Sequence, residues 1–168
     1  MNNTERKFTE ACEEHFDALY RYCFFKTSSR DTAQDLVQET YLKAWNYLMK
    51  GEEIKNLKAF FYRILNNLII DEYRKKKTVS LDLLSEKGFD PGVNETERME
   101  NQIDGERAMK LLKKIPEMYR EVIFMRYVQE LSLKEMADIL DQSENAIAVK
   151  VHRGLKKVEK FFNNSRTK

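Results

Sequence analysis

The sequence predicts an all-α protein made of two small helical domains joined by a flexible acidic linker. Apolar residues recur at spacings of three and four through most of the 168 residues, and strand-like alternation is almost absent. Charge runs basic, acidic, basic. Lys and Arg against Asp and Glu number 14 to 12 over residues 1–77, 3 to 8 over 78–107 and 13 to 8 over 108–168. The middle stretch also holds Gly88, Pro91 and Gly92 and carries no long apolar period, which is the composition of a spacer. The expected divisions are therefore a first domain at 1–77, a linker at 78–106 and a second domain at 107–168, each domain only marginally stable alone.

In the first domain, Thr9 to about Lys26 sets Phe16, Leu19, Tyr20, Cys23 and Phe24 on one stripe of a helix. "SSRDTAQDLVQETYLKAW" is the second helix, with Ser28 or Ser29 as its cap and Ala33, Leu36, Val37, Thr40, Tyr41, Ala44 and Trp45 as its apolar face. After the loop "YLMKGEEIKN" a third helix runs from about Leu57 to Lys76 and ends in four consecutive cations, Arg74 to Lys77. Phe61, Ile64, Leu65, Leu68 and Ile69 have core spacing within it.

The second domain reads as helices at about 104–113, 117–128, 132–140 and 144–161, with Pro116 at the first turn of the second, where a missing N–H is tolerated. Ser132 followed by Glu135 is a capping box. "SLKEMADILDQSENAIAVKVHRGLKK" is then helix, short turn, helix, the pattern of a helix-turn-helix. Ala137 allows a close crossing, and Leu133, Met136, Leu140, Ile147 and Val151 supply the shared core. Ser143 caps the last helix, and Asp141 takes the left-handed turn position that glycine usually fills. Glu144, Asn145, Lys150, Arg153 and Lys157 remain outside, where a major groove admits such a helix. The competing reading is an ordinary helical hairpin with a solvated charged face.

Other functional classes find little support. A net charge of +2 names no partner by itself, and Cys12 and Cys23, with no CxxC or histidine cluster, suggest buried thiols rather than a disulfide or zinc site. No cofactor or metal is expected. Glu135 with Asp138, and Glu13 and Glu14 with Asp17, lie close in sequence. No histidine partners them, His15 and His152 fall in different domains, and no glycine-rich phosphate loop exists, so the chain is not expected to be an enzyme. The polar, acidic N-terminal stretch and the lack of about 18 consecutive apolar residues lead us to expect a cytoplasmic protein without membrane insertion.

Taken together, "DLVQETYLKAW", "AFFYRILNNLIIDEYRKKK" and "IPEMYREVIFMRYVQELSLKEMADILDQSENAIAVKVHRGLKKV" resemble the bacterial RNA polymerase sigma factors of the extracytoplasmic-function (ECF) group, within the sigma-70 superfamily. The resemblance covers about residues 12–77 and 107–162 and omits the acidic spacer. It implies an alternative sigma factor that binds core RNA polymerase, directs it to promoters and helps open the −10 element. Asp35, Gln38, Glu39 and Leu42 match the part that grips the coiled coil of the polymerase's largest subunit, although Leu42 and Trp45 also read as plain core. Tyr62, Arg63, Asn67, Asp71, Arg74, Lys75, Lys76 and Lys77 match the helix laid along the melted −10 element. Phe60, Phe61, Tyr62 and Tyr73 are aromatics that could stack beside those cations, and the family's pocket for a flipped base falls at about Tyr47 to Leu57.

By the same resemblance the second domain contacts the polymerase flap and reads the −35 duplex through Glu144, Asn145, Lys150, Arg153 and Lys157. Asn145 stands where the family commonly has glycine, Ala148 where it has lysine and Val149 where it has serine, which removes two phosphate contacts. The family further implies a membrane-bound or soluble anti-sigma protein as partner. Two alternatives stay open: an autonomous helix-turn-helix regulator of duplex operators, and a polymerase-binding decoy that has lost DNA reading.

Overall fold

The structure, a computed structural model, describes residues 3–83 and 110–166, and every regular element among them is a helix. The chain divides into two compact units, residues 1–96 and 97–168. Most of the expected spacer, and the start of the helix expected near 104, lie outside the described residues.

The first unit is a three-helix bundle of α1 (Asn3–Thr27), α2 (Arg30–Met49) and α3 (Leu57–Leu83), each packed on the other two. Helix α1 starts six residues before the expected Thr9 because Phe8 is a core residue, its ring 5.2 Å from Trp45 and 5.7 Å from Phe61. Its buried stripe is Phe8, Leu19, Tyr22 and Cys23. The expected Phe16, Tyr20 and Phe24 do not share that burial. They stack on one another along the rim, with ring centroids 6.2 and 6.4 Å apart. Aromatics on α1 cover too wide an arc for spacing to select the buried line, and Tyr22 takes the interior because its hydroxyl donates to the buried Asn66 Oδ1 at 3.2 Å.

Ser28, at φ 53°, closes α1 in the left-handed conformation that ends many helices. Ser29 caps α2 by accepting from the Thr32 N–H. Ala33, Leu36, Val37, Thr40 and Ala44 are buried, with Tyr41 and Trp45 at the edge of the same face. Asn56 begins α3, its Oδ1 accepting from the Ala59 N–H at 2.9 Å. Phe61, Tyr62, Leu65, Leu68 and Ile69 are buried, each large apolar side chain contributing roughly 1.5–3 kcal/mol. The helix does not stop at Lys76. It continues to Leu83, since "KTVSLDL" contains neither glycine nor proline to end it, and the Thr78 hydroxyl bonds back to the Arg74 carbonyl.

Both cysteines lie in α1. Burial, together with the neighbouring Glu13, pushes the half-buried Cys12 thiol up to about 11. Burial pushes Cys23 up to about 12, offset in part by the Thr27 hydroxyl and Lys26. A thiol whose pKa is raised by folding favours the fold below its unfolded value and loses that contribution as pH rises from about 9 through the folded value. Alkylation by iodoacetamide at pH 8, followed by mass spectrometry, is expected to be about 100-fold slower at native Cys12 than at free cysteine, in line with its smaller thiolate fraction. Cys23, fully buried, is expected to react only after denaturation.

The second unit holds a helical turn at 110–112, then α4 (Glu117–Tyr127), α5 (Leu133–Leu140) and α6 (Glu144–Arg166). Pro116 stands one place earlier than expected, at the N-cap of α4. The Arg120 guanidinium donates to the carbonyls of Leu112, Lys113 and Ile115, tying the preceding turn to α4. The Ser132–Glu135 capping box is present, and Asp141 ends α5 at φ 52°, ψ 52°. Met136, Ala137, Ile147 and Val151 are buried as expected, while Leu133 and Leu140 are half-buried and Ile139 and Leu131 are core instead. Gly154 sits where α6 crosses α4, and a Cβ there would lie 3.0 Å from Ile123 Cγ1. Among the described residues no helix is long and apolar enough to cross a membrane.

Candidate functional site

Among the described residues, the expected site residues fall on three outward stripes, two on the first unit and one on the second. On α2 the exposed line is Asp35, Gln38, Glu39 and Leu42, at i, i+3, i+4 and i+7, opposite Ala33, Val37, Thr40 and Ala44. Leu42 is not core: it is 64% exposed, and Met49, seven residues on and unnoticed in the sequence, is 66% exposed. Nothing local separates such residues from core leucines. Only the position of the opposite face does. Glu39 pairs with Lys43 at 3.2 Å, leaving Asp35 and Gln38 as the polar groups beside Leu42.

Helix α3 presents Arg63, Asn67, Asp71, Arg74 and Lys77 along one exposed line. Ile70, which had no expected role, stands on the same line at 40% exposure. Tyr62 does not belong to it. Its ring is fully buried and set edge-on to Tyr22 at 5.4 Å, so it cannot stack on a base. Phe61 is likewise fully buried. The Tyr73 hydroxyl donates to the Lys26 carbonyl at the end of α1, while the residue stays 44% exposed. Phe60 pairs with Tyr47 at 5.0 Å beside the loop 50–56, the aromatic pair nearest the expected base pocket.

The cations at the end of α3 differ in surroundings. Asp71 lies 3.7 Å from Arg74 and Glu72 lies 3.8 Å from Lys76, both exposed pairs of small energetic weight. Lys75 turns toward α2, where Leu36, Glu39 and Lys43 face Leu68, Asp71 and Arg74 across a shallow groove. The two stripes of the first unit therefore share an edge.

On the second unit α6 starts at Ser143, whose hydroxyl accepts from the Ala146 N–H at 3.1 Å. Its outward line is Asn145, Val149, His152, Arg153, Lys156 and Lys160, all exposed. Lys156 and Lys160 were missed, though their spacing from Arg153 and Val149 could have found them. Glu144 is exposed at the helix start. Lys150 is half-buried at the flank, its ammonium donating to Gln142 Oε1 at 2.6 Å. Lys157 leans the other way, its ammonium 5.4 Å from the Tyr119 ring centre on α4. Among the described residues no group of His, Cys, Asp and Glu is placed to hold a metal ion.

A three-helix bundle with adjoining carboxylate–leucine and cationic stripes, followed by a helix-turn-helix unit with a basic outer face, has the build of a nucleic-acid-binding protein. The comparisons with known proteins name the family. Residues 12–79 match Sigma-70 region 2 and residues 105–158 match Sigma-70, region 4. The ECF RNA polymerase sigma factor SigW of Bacillus subtilis is 27% identical over 164 residues, covering 91% of this chain and 87% of that protein. RNA polymerase sigma factor SigV of the same organism is 28% identical over 149 residues, covering 85% and 83%. In structure, the chain is similar to the sigma factor RpoE crystallised with the anti-sigma factor NepR from Bartonella quintana, with TM-score 0.76, 25% identity and 94% and 98% of the two chains covered. The chain belongs to the sigma-70 family, in its ECF group, and is an alternative sigma factor that directs RNA polymerase in transcription initiation.

Proposed function

We propose that the three stripes divide the work of that initiation. The α2 line of Asp35, Gln38, Glu39 and Leu42, extended by Met49, docks on the coiled coil of the polymerase's largest subunit, with the leucine and methionine desolvated at the centre and the polar groups at the rim. The α3 line of Arg63, Asn67, Asp71 and Arg74 to Lys77 holds the melted −10 strand. Its cations take phosphates, and Ile70, flanked by Asn67 and Arg74, supplies the apolar wedge surface that the buried Tyr62 cannot. Residues 1–83 thus place a polymerase contact and a strand contact on adjoining faces of one bundle.

Residues 110–166 read the −35 duplex through Glu144, Asn145 and Arg153 at the outer face of α6, with Lys150 at its flank and Lys156 and Lys160 on phosphate. Lys157 is a minor contributor, since its charge already rests against Tyr119. The polymerase flap holds this second unit, and an anti-sigma protein holds the factor inactive. Support for that partner comes from the solved relative, an RpoE bound to its anti-sigma factor. The chain works by binding and catalyses no covalent step: two weak, salt-sensitive DNA contacts gain effective concentration when polymerase captures both units.

The observation that carries this reading is the exposed line Arg63–Asn67–Asp71–Arg74–Lys77, on a helix whose opposite face is buried as far as Ile69. Its test is transcription by purified bacterial core polymerase from a randomised promoter pool, with and without the protein, scored for start position and for single-strand reactivity upstream. Defined starts with local melting are expected only when the protein is added. Selection of duplex sites by the protein alone, with core polymerase unaffected, would instead make it an autonomous regulator.

A further inference from the structure

Val149 is the apolar member of an otherwise polar line. It stands on the outer face of α6 between Asn145 and Arg153, 40% exposed, opposite the buried Ile147, Val151 and Gly154. It therefore does not serve the core. It does not serve the helix either, because a β-branched residue at an exposed helical position is less favourable than alanine or lysine.

A side chain without donor or acceptor at the centre of a DNA-facing helix excludes most of what it could meet. A phosphate or a guanine edge pressed against it would lose water and gain no hydrogen bond in return. The thymine 5-methyl is the apolar group that the major groove offers, and branched or methyl-bearing side chains suit it. We infer that Val149 is a specificity-determining residue of this sigma factor, set against a thymine methyl of the upstream duplex element. Asn145 lies one helical turn earlier, about 6 Å along the axis, so the thymine falls within about two base pairs of the base that Asn145 contacts. What looks in the sequence like the loss of a hydroxyl is thus the gain of a methyl reader. This rests on α6 being the duplex-binding helix.

The test uses full-length protein with core polymerase. After the upstream element is selected from a randomised pool, each thymine in it is replaced singly by deoxyuridine, which removes the methyl and keeps the base pair. The wild-type holoenzyme is expected to lose about fourfold in promoter binding at one such position, the effect of a single buried methyl group. That position should lie within about two base pairs of the one at which Asn145→Ala relaxes selectivity. With Val149→Ala the deoxyuridine effect should vanish, and with Val149→Thr, which keeps a γ-methyl, it should persist. If every deoxyuridine is silent, or the loss is equally large in Val149→Ala, the assignment of Val149 is wrong while α6 keeps its role. If no upstream element is selected although starts and melting occur, the duplex-reading role of α6 fails and the inference fails with it.

Discussion

Changing Arg74, Lys75, Lys76 and Lys77 together to alanine is expected to cripple promoter opening while leaving assembly with core polymerase intact. Each cation that neutralises a phosphate of a single strand contributes about 0.7 to the slope of log affinity against log salt. Four such contacts make the slope about 2.8 units steeper, and two make it about 1.4 units steeper. Arg74 and Lys76 are each half-engaged by their own carboxylates. The loss at about 0.1 M salt should therefore fall between about 25-fold and 600-fold, and it should shrink toward nothing as salt approaches about 1 M. Single-strand reactivity across the −10 region, measured as a function of salt, reads both quantities. A quadruple variant that opened promoters with an unchanged salt slope would show that this tip meets solvent and not a strand.

The second large effect is at Tyr62, where side-chain identity alone points toward nucleic acid and burial points inward. Tyr62→Ala is expected to cost about 3–5 kcal/mol, a large part of what a small domain has to spare. Polymerase binding, promoter opening and the denaturant midpoint of the first unit should then collapse together. Tyr62→Phe keeps the edge-on contact with Tyr22 and is expected to stay within about 1 kcal/mol of wild type, with promoter opening retained. A Tyr62→Phe protein that was fully stable yet unable to open promoters would restore the direct DNA contact suggested by the resemblance.

Tyr62 also marks the boundary of what the sequence discloses. The capping box at Ser132 and Glu135, the caps at Ser29 and Ser143 and the left-handed Asp141 were all legible, because each depends on a residue and its near neighbours. The order of helices was legible for the same reason. Which side of a helix turns inward depends on partners distant in sequence. In "AFFYRILNN" three aromatics stand in a row, and periodicity cannot choose among them. Packing buries Phe61 and Tyr62 and leaves Phe60 at the rim against Tyr47. Leu42, Ile70 and Val149 were obscured in the opposite sense. An apolar side chain that waits for a partner has the same composition as one that has already found its core.

Helix α3 is also a mechanical part. Its last buried residue among those described is Ile69, Tyr73 still reaches the end of α1 and Lys75 still lines the groove with α2, and from Lys75 the helix runs a further 8 residues to Leu83, a length of about 12 Å at 1.5 Å per residue. Along this last stretch α3 is a helical beam, and the compass bearing of its final residue is fixed by helical phase. Removing two residues between Thr78 and Leu83 would swing the bearing by about 200°, to nearly the opposite side, whereas removing four would shorten the beam by about 6 Å and turn it by only about 40°. The heading of the chain at Leu83 is therefore a property of the helix itself.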